Sequence, residues 1–262
     1  MIARKSIVLL AAFYVFVAGY ASAQTKPRVV HVFVALADNA HQGIVPVPPV
    51  LGNGDDPGRN LYWGAAFGVR TFFKNAPEWT EIYSFKPSNS FVLERSVFRH
   101  HNDEVLLVAD AYRGSAIKQA LTDFFRAAAG IPAKESAAGA YTGLAFRVPT
   151  TADLVVYVGH DGLMDFPLTV DFEGRSESTR AAIILACASR SYFRALLRES
   201  KATPLLWTNG LMAPEAYTLK AALDGWMLQE SKEEIRKRAA AAYAKYQKCT
   251  DAAALRLFSS DW

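Results

Sequence analysis

Leu154-Val155-Val156-Tyr157-Val158-Gly159-His160 is an apolar run that ends on a residue able to move a proton. A second run, Ala181-Ala182-Ile183-Ile184-Leu185-Ala186-Cys187, ends on a thiol. Neither shows the polar alternation of a half-solvated strand. Such β-branched and aliphatic runs predict strands covered on both faces, as in a parallel sheet. Parallel strands deliver their last residues to one rim, where open α/β sheets build their sites. His160 and Cys187 are therefore expected on neighbouring strand ends. A Cys with a His in reach is the minimum apparatus of a thiol nucleophile.

The flanking sequence alternates in the same way. Strands are predicted over 29–36, 104–109 and 204–208, and the segment 83–97 allows a small additional strand pair. Helices are predicted over 61–74 behind Asn60, over 116–129 behind Ser115 with a stop at Gly130, and over 189–199. Two more are predicted over 215–229, with Pro214 before the first turn, and over 232–257. This order predicts an α/β protein with a mostly parallel sheet flanked by helices. The predicted C-terminal rim carries Asp38, Asn39, Asp110, His160, Cys187 and Asn209.

That rim supplies a nucleophile, a base and hydrogen-bonding side chains. A thiol is mostly protonated at neutral pH, and a neighbouring imidazole can take the proton. The amide-rich start of a helix after Cys187 favours a thiolate. Backbone N–H groups at Asp161, Gly162 and Cys187 are candidate oxyanion donors. Asp38, Asn39 and Asn209 are candidates for orienting the imidazole or holding substrate. The turn-rich stretch 38–57 follows the first strand and is expected to shape a substrate cleft over the rim. The opposing reading is a catalytically idle binding module that uses the same rim. Tyr62, Trp63 and Trp207 are expected in the core.

Around the two strand ends the chain resembles the caspase-like (clan CD) cysteine peptidases. Ala186-Cys187-Ala188-Ser189-Arg190-Ser191-Tyr192-Phe193 is similar to the Ala-Cys-x-Ser-x-Ser-x-Phe form of the legumain and GPI-transamidase branch. Val156-Tyr157-Val158-Gly159-His160 looks like its His segment. Asp161 stands where the family usually has Gly, and Gly162 follows one place later. The resemblance implies a caspase-like three-layer sandwich, with His160 as general base and Cys187 as nucleophile. It also implies a peptide or protein substrate, and it makes Asn39 the residue that orients the imidazole.

Composition bounds the rest. Met1-Ile2-Ala3-Arg4-Lys5, a short apolar stretch and Ala21-Ser22-Ala23 read as a signal peptide over 1–23, with one domain over 24–262 and a secreted or periplasmic destination. The formal net charge of +4 is too mild to argue for nucleic acid or a membrane surface, and cleavage removes Arg4 and Lys5. Two cysteines, Cys187 and Cys249, permit one disulfide, but a strand end and a terminal helix are poor partners. No Gly-x-Ser-x-Gly elbow occurs, and no glycine-rich dinucleotide fingerprint follows the first strand. No cofactor is expected. Nor is a metal: Asp55 and Asp56 lack EF-hand spacing, and the adjacent side chains of His100 and His101 diverge.

Overall fold

A computed structural model describes residues 26–132 and 151–262. The expected leader over 1–23 lies outside them. Eight strands form one open sheet. In chain order these are β1 (Arg28–Ala35), β2 (Trp79–Phe85), β3 (Val92–His100), β4 (Val105–Tyr112), β5 (Leu154–Val158), β6 (Ala181–Leu185), β7 (Thr203–Thr208) and β8 (Phe258–Ser259). Their spatial order is β2-β3-β4-β1-β5-β6-β7-β8. The strands β4, β1, β5, β6 and β7 are mutually parallel, whereas β2, β3 and β8 add antiparallel edges.

The central strands are buried on both faces, which is why their sequences do not alternate with polar residues. Val30, Val32, Val34, Val156, Val158, Ile183 and Leu185 pack to one side. There they meet α1 (Val69–Lys74), α5 (Ala216–Met227) and α6 (Lys232–Gln247). Phe33, Val155, Tyr157, Ala182 and Ile184 pack to the other side, against α2 (Ile117–Ala128) and α4 (Arg194–Glu199). The remaining helices are α3 (Ser189–Tyr192) and α7 (Asp251–Leu257). The result is a three-layer α/β sandwich, as predicted. Tyr62, Trp63 and Trp207 are all core residues. Among the described residues no helix is long and apolar enough to cross a membrane.

Several elements depart from expectation. The helix predicted over 61–74 shrinks to α1, whose N-cap is Gly68, and Asn60 caps only a local turn through the Tyr62 N–H at 3.1 Å. Its buried amide instead takes the Ala37 N–H at 3.0 Å and donates to the Ala37 carbonyl at 2.8 Å. It thereby welds the loop to the end of β1. The segment 83–97 belongs to a full β-hairpin, β2–β3, rather than a small pair. Ser115 sits inside a 3₁₀ turn, so α2 begins at Ile117 without a side-chain cap. Gly130 does end α2, at φ 72°, where an added Cβ would strike the Arg180 guanidinium. The helix predicted over 189–199 is broken at Phe193 into α3 and α4. The terminal helical segment breaks at Lys248, and β8 follows α7 to pair with β7.

Candidate active site

His160 and Cys187 occupy equivalent places on adjacent parallel strands. Val158 pairs with Leu185, and each functional residue lies two positions beyond its strand's last paired residue. Gly159 then turns the chain at φ 149° and donates its N–H to the Leu185 carbonyl at 3.2 Å. A Cβ at Gly159 would press on the Ala35 carbonyl of β1, so the close approach of three strand ends requires glycine.

The imidazole is buried and firmly held. The His160 carbonyl accepts from the Tyr157 hydroxyl at 2.8 Å and from the Gly162 N–H at 3.1 Å. Its Nε2 lies 2.7 Å from Asp165 Oδ2. Asp165 follows a 3₁₀ turn, Gly162–Met164, whose N-cap is Asp161. That short turn folds the carboxylate back onto the ring. The same Asp165 oxygen accepts the Gly43 N–H at 3.1 Å, so the long first loop is tied to the imidazole's partner.

Cys187 is a half-buried free thiol at a sharp strand-to-helix turn. Ala188, the next residue, adopts the left-handed conformation at φ 47°. Non-glycine residues in that region are strained and cluster at functional sites. Side chains hold the turn shut: Ser189 Oγ donates to the Ile184 carbonyl at 3.1 Å and accepts the Thr208 N–H at 3.0 Å, while Thr208 Oγ1 donates to the Ala186 carbonyl. Above the thiol, Met212 places its N–H 3.4 Å and its carbonyl 3.6 Å from Sγ. The helix expected behind Cys187 is only the four-residue α3, so its dipole offers the thiolate little.

The other predicted site residues are placed as follows. Gly162 spends its N–H on the His160 carbonyl, so that amide is not free to meet an oxyanion. Asp161 is fully buried, amide included. Its Oδ1 accepts the Leu163 N–H, while Oδ2 has no hydrogen-bond partner. Burial pushes this carboxyl up to about 7, with repulsion from Asp165 adding to the effect. Of the three expected oxyanion donors, the Cys187 amide alone lies at a residue with exposed surface. Asp38 caps the following turn, accepting from Ala40 N at 2.9 Å and lying 2.9 Å from His41 Nδ1. Asn39 clasps Val47 through both its N–H and its carbonyl, and Asn209 donates to the Arg256 carbonyl. These three hold loops, and the carboxylate on the imidazole is Asp165's. Asp110 is not a rim residue: β4 runs on to Tyr112 and buries it inside the sheet, paired with Arg95 and His31.

Among the described residues no group of three or more His, Cys, Asp or Glu is placed to hold a metal ion. His100 faces Asp103 at 3.0 Å and His101 faces Thr80 at 2.6 Å, so the two rings do part company. Comparison with protein-family models, with curated proteins and with solved structures found no match.

Proposed function

We propose that this chain is an exported, cysteine-dependent hydrolase or acyl transferase acting on a peptide or related amide. One observation carries the reading: the matched register that sets His160 and Cys187 on adjacent strand ends, with a carboxylate on the imidazole's Nε2. Asp165 acts as a positioning residue. By holding Nε2 it leaves Nδ1 as the nitrogen that exchanges a proton. His160 takes the proton of Cys187, and the sulfur bonds to the substrate carbonyl carbon. The protonated imidazole then gives that proton to the departing amine as the C–N bond breaks. Water or a second amine releases the acyl group from sulfur. The Cys187 amide is one donor for the oxyanion, and substrate has to move Met212 off the thiol first.

A second reading is an idle binding module of the same architecture. It is favoured by the spent Gly162 amide and the buried Asp161, which leave the oxyanion poorly served.

The test is labelling by a peptide acyloxymethyl ketone, with the modified residue located by mass spectrometry. The catalytic reading expects adduct at Cys187 in the wild type and none in Cys187→Ala or His160→Ala, each folded by circular dichroism. A wild type that stays unlabelled, or that reacts at Cys249 alone, overturns it in favour of the idle module.

A further inference from the structure

On the sheet face opposite the Cys187 thiol lies a cavity of about 540 Å³, between the sheet and α2. Its floor is charged, although the surrounding face is apolar. Asp110 on β4 receives Arg95 of the neighbouring β3 through Nε at 2.5 Å and Nη2 at 2.7 Å. His31 on β1 adds Nε2 at 2.8 Å. Arg95 holds the Asp110 carboxyl far below the usual range despite complete burial. Buried ion pairs contribute little net stability compared with apolar packing, so stability alone does not account for this floor.

Helix α2 sends two further charges into the cavity wall, Asp123 and Arg126. Asp123 accepts only from neutral donors, the Tyr112 hydroxyl at 2.9 Å and the Gln119 amide at 2.8 Å. Burial pushes its carboxyl up from the ordinary value. Arg126 donates to the Asp171 carbonyl, which is also neutral. Among the described residues neither makes an ion pair. Residues three apart on a helix share a face, with about 5–6 Å between their Cβ atoms. Among the described residues the cavity therefore presents one negative and one positive group without an ion-pair partner, side by side, with the half-exposed Phe91 in its lining. Its volume falls within the usual range of small-molecule sites.

We propose that this cavity binds a free α-amino acid with an apolar side chain, its ammonium on Asp123, its carboxylate on Arg126 and its side chain against Phe91. Each ligand charge neutralises one charge of the wall, and neither wall group gives up a bond it already makes. The site is separate from the rim, so its failure and that of the proposed catalysis are independent.

Calorimetry on the full chain with L-phenylalanine, 3-phenylpropionate and phenethylamine tests it. The zwitterion should bind on the order of tenfold or more tighter than either analogue that lacks one charge. Asp123→Asn and Arg126→Gln should each weaken L-phenylalanine by on the order of tenfold, and Asp123→Asn should leave 3-phenylpropionate unaffected. A single-charge analogue that binds as tightly as the zwitterion overturns the proposal. So does unchanged affinity in both variants, or no heat from L-phenylalanine at millimolar concentration. The three-ligand comparison on the wild type stands even if a variant fails to fold.

Discussion

Asp161 shows how one buried carboxyl shapes both site and stability. In the folded chain it keeps its proton up to about pH 7, whereas an unfolded aspartate loses it near 3.9. The folded state thus binds that proton more tightly. The contribution is fully present below about pH 4 and is lost as pH rises toward 7, amounting to up to about 4 kcal/mol. Asp161→Asn keeps an acceptor for Leu163 and removes the titration. The variant should gain melting temperature relative to wild type at pH 7.5 and not at pH 4, measured by thermal scans across that range. A constant difference at all pH values would show that burial of charge is not the cause. His160 and Cys187 were readable because each closes an unbroken apolar run. Asp165 was not, because it reaches the imidazole through a 3₁₀ turn in a segment without periodicity. The one available signal was a carboxylate within one short turn of the histidine. Asp110 lies inside the sheet and not on the rim because β4 runs three residues further than its apolar stretch, carried by the pairing of Asp110 with Arg95 on β3.

Among elements, the central strands were legible and the edges were not. Central strands are specified by their own buried composition, whereas an edge depends on a distant neighbour. β8 is two residues long and exists because Phe258 and Ser259 pair with Thr208 and Trp207. Phe258 is 1% exposed and stacks edge-on against Tyr243 at 5.4 Å. Phe258→Ala should therefore cost about 3–5 kcal/mol, the range for truncating a buried aromatic. Urea denaturation would read this as a lower midpoint at unchanged slope, and a loss below about 1 kcal/mol would mean β8 is not docked in solution. The false start of α1 has a different origin. Its apolar residues have helical spacing, but Asn60 offers the Ala37 backbone a better bargain than a helix cap, and Tyr62 and Trp63 enter the core from a loop. Local propensity could not reveal that, since the partner, Ala37, lies just beyond the end of β1.

At the scale of the molecule, strand-helix alternation was enough to predict the layered sandwich, because each buried strand requires a helix on either side. It could not reveal which carboxylate serves which histidine, since that follows from loop paths. The two cysteines remain unpaired in the fold. Alkylation of the unfolded, unreduced chain followed by intact mass measurement should find two modified thiols, and reduction should leave the melting temperature unchanged. A mass lacking both adducts would mean a crosslink that the fold does not contain. A last consequence follows from Asp165 Oδ2, which serves His160 Nε2 and the Gly43 N–H together. A guest that tugs the 38–57 loop outward takes away one of the two donors that fix this oxygen, and the ring's aim changes with it. By reciprocity, for any ligand that binds this loop and breaks the Gly43 bond, a change in the ring's charge would alter the ligand's affinity.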